Sequence, residues 1–130
     1  MKSHVSAAAV ACAAAFALAG SLAWAAGPVA VDIPFQFAVA NRELPAGHYE
    51  LEPSGAGPSK LVVKSADGGV AIAPVIERLA DTGGKEPTTV FDEKNGKYFL
   101  SEVHIPGQDG LLVGIVKGEQ AHKVVIGTEK

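Results

Sequence analysis

His48, Glu50 and Glu52 alternate along the chain with Tyr49 and Leu51. In an extended strand successive side chains point to opposite faces, so the three polar residues share one face. Glu102 and His104 repeat the arrangement later in the chain. Imidazole with carboxylate is a donor set for transition metals and a pairing used in general acid–base catalysis. His48, Glu50, Glu102 and His104 are therefore the candidate ligands or proton-transfer groups, on condition that the fold brings the two faces together. No two histidines stand at a ligand spacing on one element. Alternation by itself also places polar members on the solvated face of a half-buried strand. The expectation is thus a solvated face with no metal, no cofactor and no assigned catalytic residue.

Nucleophile chemistry has little more to work with. Ser101 sits inside Phe99-Leu100-Ser101-Glu102 and Ser54 in a Pro/Gly stretch, and neither occupies the G-x-S-x-G turn that exposes a serine. Residues 55–60, Gly-Ala-Gly-Pro-Ser-Lys, lack the spacing of a phosphate-binding loop, and no helical pattern follows to supply an N-terminus. An envelope hydrolase using Ser101 or His104 is the weakest functional expectation.

The elements that would position these residues read as strands. Between residues 29 and 39 the odd positions are Val29, Val31, Ile33, Phe35, Phe37 and Val39, with Asp32 and Gln36 between them. That period of two predicts a strand with one buried face. Pro34 has no N–H for a ladder and predicts an edge, bulge or break there. Residues 41–47 read as a turn, after which Tyr49 and Leu51 are expected to point inward. Asp67-Gly68 and Asn95-Gly96 mark two hairpin turns, joining 61–63 to 70–76 and 88–92 to 98–105. Strands are also expected at 111–116 and 122–126. Residues 77–87 form the longest irregular stretch, and 76–80 is the nearest approach to a helix. The spacing predicts an all-β domain, a single small antiparallel sandwich or barrel of about seven to eight short strands.

The first 25 residues read as a signal peptide: Lys2 and His4, then an uncharged Ala-rich run, then Ala23-Trp24-Ala25 as small-residue cleavage site. Residues 26–130 are the expected all-β domain, exported to the periplasm or secreted. Cys12, the one cysteine, leaves with the leader, so no disulfide or thiol chemistry is expected in the processed chain. Removing 25 of 130 residues leaves 105, and losing Lys2 leaves 10 basic against 14 acidic side chains, a net charge of −4. No Lys/Arg block exists to hold nucleic acid or an anionic lipid surface. Strands of outer-membrane barrels run about 9–11 residues between aromatic girdles; the shorter strands and few aromatics here predict a soluble domain without a membrane span.

Phe35, Phe37, Tyr49, Phe91, Tyr98 and Phe99 could line a ligand cavity or fill a core, and a chain of this size without disulfides needs the core. Ile33-Pro34-Phe35-Gln36-Phe37, Leu44-Pro45-Ala46-Gly47-His48-Tyr49, Val90-Phe91 and Tyr98-Phe99-Leu100-Ser101-Glu102 carry the pattern F-x-F, L-P-A-G-x-Y, V-F, then Y-F-L-S-E. In these motifs the chain resembles a group of short exported bacterial proteins of unknown function. The resemblance spans roughly residues 31–107 and implies no activity and no functional residues. The sequence therefore favours an exported, non-enzymatic binding or structural β-domain of the cell envelope. Its partner would be an envelope or extracellular protein or a glycan. A small apolar-ligand carrier with a barrel cavity is the alternative.

Overall fold

The computed structural model describes residues 27–129; the expected signal peptide and Cys12 lie outside the described residues. Twelve strands follow in order. They are β1 (Val29–Ile33), β2 (Phe37–Val39), β3 (Arg42–Leu44), β4 (Gly47–Ser54), β5 (Lys60–Ser65) and β6 (Val70–Pro74). Then come β7 (Glu77–Leu79), β8 (Thr88–Lys94), β9 (Lys97–His104), β10 (Gly110–Leu112), β11 (Ala121–Ile126) and β12 (Thr128–Glu129). A five-stranded sheet has the order β12, β1, β4, β5, β6. A seven-stranded sheet has the order β11, β8, β9, β10, β7, with β2 beside β9 and β3 beside β2.

The all-β class holds, and the sheets curl into a half-barrel or sandwich. Among the described residues twelve strands replace the expected seven to eight, because three crossings between sheets divide or extend expected runs and because β3 forms inside the expected turn. Pro34 ends β1 in one sheet and lets Phe37 start β2 in the other. Pro74 ends β6, and residues 75–76 carry the chain across to β7. Gly127 separates β11 from β12 in the same way. Sheet-switching strands of this kind make the corners of packed β-structures.

Four further expectations are corrected. Residues 41–47, read as a turn, contain β3, which pairs with β2. The pairing is not wholly antiparallel, since β2 runs parallel to β9 through Phe37↔Tyr98 and Ala38↔Phe99. The strand expected over 111–116 stops at Leu112, because β2 takes the place beside β9 that β10 would otherwise extend into. Residues 76–80, the nearest thing to a helix in the sequence, contain β7, which is zipped to β10. Among the described residues no helix is long and apolar enough to cross a membrane.

The inward faces are those the alternation predicts. Val29, Val31, Ile33, Phe37, Val39, Tyr49 and Leu51 are all buried. β1 and β4 pair antiparallel with Val31 opposite Tyr49. Phe37 meets Tyr49 edge-on at 5.2 Å between ring centres and Phe91 at 5.4 Å; Phe35 stacks on Tyr98 at 4.0 Å. The edge-to-face contacts of Phe37 are a favoured aromatic geometry. The rings occupy the space between the sheets where a carrier would hold its ligand.

Two turns carry positive φ at both central residues, as a primed hairpin turn requires. In one, Asn95 and Gly96 (φ 55° and 78°) suit it. In the other, Ala40 and Asn41 (φ 53° and 64°) join β2 to β3, and the alanine Cβ crowds the backbone in that region. Ala40→Gly is therefore expected to raise stability by about 0.5–1 kcal/mol despite the greater freedom of an unfolded glycine. Equilibrium denaturant unfolding measures it, and a loss of stability would contradict the reading.

Candidate functional site

The structure separates the residues singled out by spacing. His48 belongs to the five-stranded sheet and His104 to the seven-stranded one. Each sits beside buried neighbours, Tyr49 and Val103, whose side chains take the core face. The polar faces of the two strands therefore point away from the core on different sheets, and the condition for a shared site is not met. Among the described residues no three His, Cys, Asp or Glu side chains gather where they could hold a metal ion.

Each of the three described histidines finds a carboxylate of its own. His48 Nδ1 lies 2.8 Å from Asp32 Oδ1, its partner across the β1–β4 ladder. Glu52 sits 4.0 Å from Lys64 of β5, and Glu50 lies between Ala30 and Lys64 in the sheet register. These exposed pairs contribute little to stability, because water and salt screen them. His104 Nε2 lies 2.8 Å from Glu102 Oε1 on the same face of β9. Its imidazole packs over Gly110, where a Cβ would come within 2.5 Å of Nδ1. Among the described residues that buried Nδ1 has no hydrogen-bond partner. The glycine thus gives the ring its seat, as a bare strand position beside an aromatic does.

The third pair escaped sequence reasoning. Asp92 and His122, 30 residues apart, are register partners on β8 and β11, with Nδ1 3.0 Å from Oδ1. The Asp92 carboxylate is buried while the imidazole is largely exposed. A buried carboxylate needs such a partner to offset its desolvation. Each residue fell on an expected strand, but nothing local says that the third hairpin pairs with the last strand.

Ser101 is also explained. β8 and β9 slip register between Val90 and Phe91, so that Val90 faces Glu102 and Phe91 faces Leu100. Ser101 is the extra residue of this β-bulge. It is buried, and its hydroxyl donates to the Gly114 carbonyl at 3.1 Å. That bond ties the bulge to the chain leaving β10. Ser54 ends β4 at the surface.

A partly apolar groove of about 470 Å³ opens where β2 and β10 part along β9. Phe99 and Leu100 form its floor, the Ala40–Asn41 turn and Arg42 one wall, and Ile115 and Val116 the other, with Glu43 and Pro74 also lining it. Arg42 donates to the Val70 carbonyl at 2.7 Å, which fixes the hairpin against the edge of β6. Ile115 is 64% exposed at the rim. A strained turn beside an apolar concavity is an arrangement common to binding sites.

Fold and site together define a small all-β domain with a filled interior and a surface groove. No protein-family model, curated protein or solved structure matches this chain.

Proposed function

We propose that this chain is an exported, non-enzymatic binding domain of the cell envelope, freed of residues 1–25 and holding a partner in the groove between the Ala40–Asn41 turn and Ile115. The partner is a protein or glycan of the envelope or the extracellular space, presenting apolar groups to Phe99, Leu100 and Ile115. The observation that carries this reading is the groove itself, about 470 Å³ with an exposed isoleucine at its rim. A solvent-exposed isoleucine at the edge of an apolar concavity is the surface that a partner covers with gain. The Ser101 hydroxyl, tied to Gly114, supports a structural rather than a nucleophilic role for that residue. The ring-filled interior supports surface binding over carriage of a buried ligand.

Affinity purification of the exported protein from the periplasmic fraction tests the proposal. A specific companion is expected to co-purify, and Ile115→Asp is expected to reduce its recovery at least tenfold, roughly the loss when one buried aliphatic anchor is replaced by a charge. Because Ile115 is largely exposed in the free domain, its thermal unfolding should be unchanged. Recovery of a free monomer alone, or full retention of the companion by the variant, would overturn it.

A further inference from the structure

The wall of the groove formed by Ile115 and Val116 is attached differently from the rest. On its β10 side the chain is pinned firmly, since Val113 N–H and Gly114 N–H both donate to the Ser101 carbonyl, at 2.7 and 3.3 Å, and the Ser101 hydroxyl returns a bond to Gly114. On its far side Ala121 enters the β8–β11 ladder opposite Glu93. Among the described residues the stretch 115–119 between them is held by one hydrogen bond, from the Lys94 ammonium to the Lys117 carbonyl. Gly114 stands at its pinned end, and Gly118 (φ 90°) lies within it just past Lys117. Ile115, Lys117, Gly118 and Glu119 are exposed, and Val116 is half-buried.

We propose that residues 115–119 are a gate forming one side of the groove, hinged at Gly114, flexing within at Gly118 and held in place by the bond from Lys94 to Lys117. Segments with few buried contacts and few backbone bonds open at the low end of a protein's range of local stabilities. Residues that absorb a large backbone change at the ends of a moving segment are the hinges of such motions. The single latch is a flexible, strongly hydrated ammonium on a neutral carbonyl, which water replaces readily. Opening would swing Val116 from the floor residues Phe99 and Leu100 and admit an occupant wider than one side chain. The gate deepens the binding proposal by stating how its site is entered. Its test needs no partner, so failure of one leaves the other to be judged separately.

In a chain carrying Cys12→Ser, a cysteine introduced by Val116→Cys is unique and reports access to the groove wall by its rate of thiol labelling. Lys94→Met is expected to speed that labelling roughly three- to tenfold, the equivalent of losing one weak hydrogen bond from a charged donor. Lys94→Arg, which keeps a donor, is expected to restore the slow rate. Val63→Cys, buried in β5, labels only through global unfolding and should not respond. An unchanged rate at position 116, or acceleration at 116 and 63 in parallel, would overturn the gate. Should Val116→Cys fail to fold, backbone NMR relaxation on the chain with native Val116 reads the same motion. Lys94→Met should then lower order parameters across 115–119 and leave 110–113 rigid; unchanged order parameters refute it.

Discussion

Tyr49→Ala is expected to cost about 3–5 kcal/mol, the range for truncating a fully buried large ring with partial collapse of the cavity. Tyr49 is 1% exposed, packs edge-on against Phe37, and donates its hydroxyl to the Pro45 carbonyl at 2.5 Å. That bond runs back four residues and closes the corner that brings the chain into β4, in the manner of the tyrosine corner of β-sandwich domains. Tyr49→Phe keeps the packing and loses the bond, so it should cost only about 1–1.5 kcal/mol. Equilibrium unfolding of the two variants separates ring from hydroxyl, and equal losses would contradict the assignment. The phenol also makes the fold sensitive to alkali. Burial first, and the Asp67 carboxylate second, push its pKa above the ordinary value of 10.0. The neutral form is favoured in the fold, so this stabilisation is complete below pH 10.0 and is lost as the pH rises through the folded value, while the unfolded chain ionises first. Tyr49→Phe should flatten that part of the decline in stability above pH 10.0. A decline identical in both proteins would show that Tyr49 is not its source.

Gly127→Ala is the second large expected loss, about 2–3 kcal/mol, set by forcing atoms into filled space. A Cβ at this position would stand 2.5 Å from the Ala30 carbonyl oxygen and 3.3 Å from Val31 Cβ, both on β1. The first is a backbone atom, so no side-chain rotation relieves the clash. Gly127 also donates its N–H to the Pro87 carbonyl at 2.9 Å, which ties this corner to the start of β8. The substitution should therefore separate β12 from β1 before it disturbs β11 on β8. Hydrogen exchange can follow this, with the β1 amide that faces β12 expected to lose protection while the β11 amides bonded to β8 keep theirs. Gly68→Ala is a useful comparison because a Cβ there meets nothing within 4 Å. Its φ of 99° still carries backbone strain, so the contrast lies in where protection is lost rather than in the size of the cost.

These two residues mark how far a local reading of the chain reaches. Tyr49 was legible as an inward residue after a turn, since Leu44-Pro45-Ala46-Gly47 announces the turn and alternation assigns the face. Its bond to Pro45 lies within the same short segment. Gly127 looked like a residue after a strand, because its role depends on β1, nearly a hundred residues away. The candidate site divides in the same way. Ile115 was expected inside a strand, and it stands at the rim of a groove only because β2 displaces the continuation of β10 from the edge of β9.

By itself the sequence determined most of the extended segments, though not β3 or β7, together with which of their faces turn inward and where the Asp-Gly and Asn-Gly turns fall. The reason is that a two-residue period, a proline and an Asn-Gly pair act on the chain over a few residues. Tertiary structure alone decided which strands are neighbours, and so which polar groups meet. Asp32 with His48 and Asp92 with His122 are set by register across ladders, Ser101 by a bulge, and the groove by competition between two strands for one edge. Such choices depend on burying all the inward faces at once, a condition on the whole domain that no segment carries.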